Sequence, residues 1–258
     1  MDIVLPLSVK YRSGERSDLL RLKVLLSSVK KFWRGGGTLH IVTPDVDAVR
    51  AEINRLNVPE VRVEIHSDES VFDRLPSGLN PWWKQQIIKL ASHAIVTSDF
   101  YLVLDADCFF VRETTENDLV PEGRGRVSYG TGSAYSHAVW YRGCRRLGLT
   151  APERFVNTTP FVMHRRLAAE ALAFVQETPG SIGKLGWSEY TLYHSLAAQN
   201  ALWDVYHVEG KPILGNAVWE QKELATWDAK ATHEGFLSLV QSNTHVSAAW
   251  VEERLSTE

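Results

Sequence analysis

The 258-residue chain carries 28 Lys and Arg against 31 Asp and Glu, a formal net charge of −3 with histidine neutral. That balance argues against a protein that grips nucleic acid by bulk positive charge, and 44% apolar with 23% charged residues is the composition of an ordinary globular chain. No segment reaches the roughly 20 apolar residues of a membrane span, and two cysteines far apart make neither a disulfide framework nor a zinc site, so a reducing, cytoplasmic setting is expected.

The N-terminus, MDIVLPLS, reads as a first strand (3–7) and not as a signal peptide. A polar loop, SVKYRSGERS, follows. Leu22, Leu25, Leu26, Val29, Phe32 and Trp33 then recur at helical spacing, with Ser17 as N-cap and Gly35–Gly37 as the stop. A strand (39–44), a short helix (45–56) and a third strand (61–66) continue the alternation that predicts a parallel sheet covered on both faces. After a polar loop (67–81), PWWKQQIIKLASHAIV (81–96) opens with proline, as helices often do. Trp83, Ile87, Leu90, Ala91 and Ala94 form its buried face; Gln85, Lys89 and His93 share the opposite, polar stripe. The apolar strand YLVL (101–104) comes next. Residues 113–158 show weak periodicity. Beyond them a strand (159–164), a helix (165–177), a glycine-bounded loop (180–186), a helix capped by Ser188 (187–199) and strands in ALWDVYHV and 236–242 are expected. The nine tryptophans are read mostly as core, with a share left for stacking on ring-shaped ligands.

YLVL runs into Asp105 and Asp107, separated by Ala106. Alternation along a strand points both carboxylates to one side, at the carboxyl end where ligands bind in open α/β sheets. Two such acids repel each other. Carboxylate oxygens are hard ligands suited to Mg²⁺ or Mn²⁺, so a metal bound to a diphosphate is the partner expected of them.

VLDADCFF resembles the D-x-D motif of glycosyltransferases with the GT-A fold. PWWKQQIIKLAS and WSEYTLY resemble a group of bacterial glycosyltransferase-like proteins whose members are mostly inferred. The resemblance covers roughly residues 2–112 well and is patchier across 155–245. It implies a single GT-A-like (Rossmann-like) α/β domain over 1–258, with a mixed, mainly parallel sheet flanked by helices. Residues 1–112 form the nucleotide-sugar-binding half and 113–258 the acceptor-binding half. It also implies a nucleotide-sugar donor, a uridine type by preference, and a glycan or lipid-linked hydroxyl acceptor, with surface-glycan synthesis as a setting. A lipid-linked acceptor leaves room for peripheral membrane contact.

In such enzymes the first Asp of the motif reaches the metal or the donor ribose and the second binds the metal, roles that fall here to Asp105 and Asp107. A third metal ligand is often a histidine after a late strand. His245, following FLSLVQSNT, fits that place; His207, in HVEGKP, is the alternative. The loop after the first strand resembles the donor-base site, with Tyr11 to stack and Lys10 or Arg12 to meet phosphate. Asp68 either bonds base or ribose or forms a turn. Gln85 and Lys89 point toward the diphosphate, where a lysine stabilises charge on the leaving group; Trp82 and Lys84 sit near the mouth. Glu189, in the first turn of its helix beside Trp187 and Tyr190, is the candidate base, acceptor ligand or nucleophile. Residues 157–165 offer an acceptor wall, and the basic run at 141–148 a second contact surface.

Three rivals stay open at this point. A sugar nucleotidyltransferase needs its glycine-rich loop directly after the first strand, whereas GGGT follows the first helix. A non-catalytic nucleotide-sugar-binding module is the second. The third, a metal-dependent hydrolase, calls for denser His and Asp clustering.

Overall fold

The computed structural model describes residues 1–8, 18–71, 79–130, 135–150, 152–156, 159–178, 180–182, 186–227, 235–241, 244 and 246–256. In chain order these form β1 (Asp2–Pro6), α1 (Asp18–Phe32), β2 (Leu39–Thr43), α2 (Val46–Leu56), β3 (Val63–Ser67), α3 (Asp68–Val71), α4 (Pro81–Ala91), β4 (Phe100–Val103), β5 (Cys108–Phe110) and α5 (Glu116–Leu119). There follow β6 (Gly125–Val127), α6 (Tyr135–Arg146), β7 (Phe161–His164), α7 (Arg165–Glu177), α8 (Glu189–Gln199), α9 (Trp203–Tyr206), β8 (His207–Glu209), β9 (Leu214–Val218), β10 (Leu237–Val240) and α10 (Ala248–Ser256).

The main sheet has the order β3-β2-β1-β4-β7. The first four strands are parallel and β7 runs antiparallel to β4. Alternation sorts its side chains between two cores. Ile3, Leu5, Ile41, Leu102 and Leu104 pack with Leu22, Leu25 and Leu26 of α1 on one face. Val4, Val42, Tyr101 and Val103 pack with Ile87 and Leu90 of α4 on the other. Layers on both faces explain why β1, β2 and most of β4 are buried end to end. A smaller sheet, β5-β10-β9, extends from the end of β4, and β6 pairs with β8.

Local signals account for several ends. Asn80 caps α4, accepting from Trp82 N at 2.9 Å, with Pro81 in the first turn. Ser188 caps α8 in a capping box with Thr191. Leu167, Ala171 and Val175 of α7 are buried together. Ser17 lies outside the described residues.

Five expectations need correction. Residues 81–96 are not one helix: α4 ends at Ala91, a 3₁₀ turn spans Ser92–Ala94, and Ala94 is exposed. ALWDVYHV is not a strand; its core is the short helix α9, and only His207–Glu209 is extended. Residues 113–158 hold α5, β6 and α6, and the loop after β3 begins with α3. Finally, YLVLDAD is not a continuous strand: β4 stops at Val103, and Cys108 N donates to Asp105 O at 3.0 Å, closing a turn before β5.

α8 is buried along Glu189–Ala197, and it carries the buried His194 against Tyr141 Oη at 2.7 Å. His207 sits beside it, bonded to Tyr193 Oη at 2.8 Å and Gly125 O at 3.1 Å. Burial pulls both imidazoles from 6.5 down to about 3. The folded chain therefore resists protons that the unfolded chain accepts, and stability falls as pH drops from 6.5 toward about 3. His207→Gln, which keeps a donor and an acceptor, should shallow that fall by one proton's slope, about 1.4 kcal/mol per pH unit. Urea titrations at a series of pH values read it directly.

Candidate functional site

Strand order reverses between β1 and β4: β2 and β3 follow β1 on one side, while β4 lies on the other. In open α/β sheets the crevice outside the carboxyl ends of the strands at such a switch point is where ligands bind. Here a cleft of about 170 Å³ opens at the carboxyl end of β4, one of the two strands flanking that point. Asp105 and Asp107 line it together, held by the turn after β4 and not by strand alternation. Val240 N of β10 donates to Asp107 O at 3.1 Å, which ties the turn to the second sheet.

α4 supplies Trp82, Gln85, Gln86 and Lys89; α8 supplies Glu189 and Tyr190. Lys89 is 2% exposed. A buried ammonium is tolerated only when paired and hydrogen-bonded, and its three protons meet three acceptors: Asp105 Oδ1 at 2.8 Å, Glu189 Oε1 at 2.8 Å and Thr159 Oγ1 at 3.1 Å. Burial works against the charge, but Asp105 and Glu189 outweigh it and hold Lys89 above its ordinary pKa. Gln85, one turn earlier, donates Nε2–H to the same Asp105 oxygen at 2.9 Å. The polar stripe of α4 is thus turned into the molecule at this end, because the acids at the end of β4 face it.

Glu189 is the first residue of α8 and is 2% exposed. Its N–H donates to Gln86 Oε1 at 3.2 Å. Oε1 takes the Lys89 bond, while Oε2 is buried in the cleft wall with no hydrogen-bond partner among the described residues. Burial pushes the carboxyl up, against the pull of Lys89. On the other flank, Arg21 of α1 is 8% exposed and donates to Val240 O and, at 3.2 Å, to Val246 O. Burial lowers its pKa and the nearby Asp107 raises it. Three carboxylates (Asp105, Asp107, Glu189) therefore face two cations (Lys89, Arg21), an imbalance that favours a further positive charge.

Of the residues singled out in the sequence, the fold gathers Gln85, Lys89, Asp105, Asp107 and Glu189 around one cleft. Lys10, Tyr11, Arg12 and His245 lie outside the described residues. His207 is corrected: it is locked in the aromatic core, both ring nitrogens bonded, and does not line the cleft. Lys84 turns from the mouth to pair with Asp68 at the start of α3. Among the described residues of 157–165, Thr159 alone lines the cleft, and the arginines at 142, 145 and 146 point to solvent. Trp140 and Trp219 were not foreseen; the surplus of tryptophan was the one signal for them. A larger cavity, about 310 Å³, opens between His194, Trp203 and Arg154. Its histidine is neutral and its acids, Glu153 and Asp204, are exposed, so it gathers no comparable set of buried charges.

The architecture matches solved glycosyltransferases. Mouse xyloside xylosyltransferase 1, apo form, superposes with a TM-score of 0.52 at 14% identity, over 95% of this chain and 100% of that one. The galactosyltransferase LgtC, in complex with donor and acceptor sugar analogues, gives 0.58 at 13% identity over 99% and 94%. An active-site mutant of LgtC gives 0.60 at 13% over 99% and 95%. At such identity the likeness concerns the fold, which is the expected GT-A arrangement. No curated protein matches the sequence. A family model does match it over residues 1–257, and the chain belongs to that family, the family of unknown function DUF6492.

Proposed function

We propose that the protein is a metal-dependent glycosyltransferase that moves a sugar from a nucleotide diphosphate, of uridine type by preference, to a hydroxyl acceptor. The observation that carries this reading is the convergence of Asp105, Asp107, Lys89 and Glu189 on one cleft at the carboxyl end of β4. LgtC, which shares the fold, has a structure with donor and acceptor sugar analogues.

Asp105 and Asp107 would hold Mn²⁺ or Mg²⁺; their oxygen donors suit a hard cation, and the excess of carboxylate at the site accommodates one. Such an ion, when bound, supplies Lewis-acid stabilisation of the leaving diphosphate. Lys89 keeps the acids in place, with Gln85 fixing the same Asp105 oxygen. Glu189 Oε2 is the group available to take the acceptor's proton, and burial raises its basicity. The acceptor oxygen then bonds to the sugar's anomeric carbon as the bond to the diphosphate oxygen breaks. Trp82, Trp140 and Trp219 form aromatic walls suited to sugar or base rings. Trp219 is 40% exposed, so Trp219→Ala should spare the fold. It should raise KM about tenfold, about 1.4 kcal/mol of lost contact, with kcat little changed.

The nucleotidyltransferase alternative loses support. Gly37 packs against the Met1 carbonyl at the amino-terminal end of the sheet, opposite the cleft, so the glycine run does not cradle a phosphate there. No helix among the described residues is long and apolar enough to cross a membrane. The test is incubation with a panel of nucleotide sugars and Mn²⁺. Release of nucleoside diphosphate, abolished by EDTA, is expected. Pyrophosphate exchange would instead indicate a nucleotidyltransferase, and silence across the panel a binding module.

A further inference from the structure

A second cluster of ligating side chains lies at the other end of the sheet. His40 of β2 pairs in register with Glu64 of β3, and Val42 with His66. Alternation puts His40, Glu64 and His66 on one face. His40 Nδ1 is 3.0 Å from His66 Nε2 and 3.7 Å from Glu64 Oε2, and His66 Nε2 is 3.9 Å from that same oxygen. The point equidistant from these three atoms lies about 2.1 Å from each, the length of a Zn–N or Zn–O bond.

The surroundings suit a cation. Two ring nitrogens at 3.0 Å need a proton or a positive ion between them. The other nitrogen of His40, Nε2, is buried without a hydrogen-bond partner among the described residues and lies 3.8 Å from the Asp2 carboxylate. Asp2 is itself fixed by the backbone N–H groups of Thr38, Thr97 and Ser98. At that distance the Asp2 carboxylate acts by charge and not by a hydrogen bond, favouring a proton on Nε2, the tautomer that leaves Nδ1 with its lone pair. Glu64 directs its second oxygen to Arg62 at 3.6 Å. His40 is nearly inaccessible, whereas the side chains of His66 and Glu64 are 21% and 45% exposed, which leaves an entry path from solvent.

We propose that His40, Glu64 and His66 form a Zn²⁺ site, with its fourth position open to water. Two imidazoles and one carboxylate are a borderline donor set that suits Zn²⁺ better than the hard ions expected at Asp105 and Asp107. The site joins β2 to the edge strand β3, so its effect is on stability. It is independent of the proposed transferase activity.

The test uses untagged, EDTA-treated, dialysed protein titrated with Zn²⁺ alone, read by calorimetry, metal analysis and thermal unfolding. One zinc per chain and a raised Tm are expected. His66→Ala and Glu64→Gln, both at accessible positions, should each weaken zinc binding at least about tenfold and remove the Tm shift. Asp107→Asn should bind zinc like the parent. The proposal is overturned if the parent takes up no zinc, if His66→Ala and Glu64→Gln bind it unchanged, or if Asp107→Asn alone abolishes uptake.

Discussion

Replacing Lys89 with methionine should destabilise the protein by about 3–5 kcal/mol and abolish turnover. The substitution keeps most of the volume and removes the charge. It leaves Asp105 Oδ1 and the buried Glu189 facing each other without the ammonium that now sits 2.8 Å from each. Breaking a buried pair from one side is costly because the remaining charge is uncompensated. Glu189→Gln is the milder single change, since Lys89 keeps Asp105 and Thr159. The double variant should recover part of the loss, with a coupling of about 1–3 kcal/mol. Urea denaturation of the four proteins measures the cycle. In activity the double variant recovers nothing: Glu189→Gln alone should lower kcat about 10²–10⁴-fold if Glu189 moves the acceptor's proton.

Asp107→Asn should leave the fold intact and remove metal-dependent donor binding. Asparagine preserves the shape of the turn and the main-chain bond to Val240 N, which does not involve the side chain. The Arg21 guanidinium retains its bonds to Val240 O and Val246 O. What is lost is one of the two carboxylates proposed to hold the metal. Nucleoside diphosphate affinity in Mn²⁺ should fall at least about 10²-fold, and the gain that Mn²⁺ gives the parent should vanish. Titration calorimetry with and without Mn²⁺ shows it. The opposite pattern, a large drop in Tm with donor affinity unchanged, would make Asp107 a brace for Arg21 and nothing more.

The βαβ half was legible because its signals are local: buried strands such as IVLP and LHIVT and proline at the start of α4; beyond it, the serine before α8 did the same. That Asp105 and Asp107 would line one cleft was legible for the same reason, since two acids ending an apolar strand have no apolar explanation. The geometry of the turn after β4 was not. The break between β4 and β5 depends on β10, whose Leu239 pairs with Cys108 from more than a hundred residues away. Lys89 read as part of a polar stripe; that it is buried depends on Glu189 and Thr159, which arrive from distant segments. Short elements such as β6 and α9 lack the length to show a period, so 113–158 looked irregular and ALWDVYHV looked extended. His207 was misjudged because HVEGKP names its neighbours in sequence, while Tyr193 and Gly125 decide its role. The zinc-like cluster of His40, Glu64 and His66 left no motif, because its spacing exists only across two paired strands.

The most direct measurement is a crystal soaked with UDP and Mn²⁺, examined by anomalous scattering at the manganese edge. A manganese peak bridging Asp105 or Asp107 to the diphosphate in the cleft beside Lys89 is the predicted result. A cleft that stays without manganese at saturating UDP, with Asp105 still bonded to Lys89 and Gln85, would contradict the account.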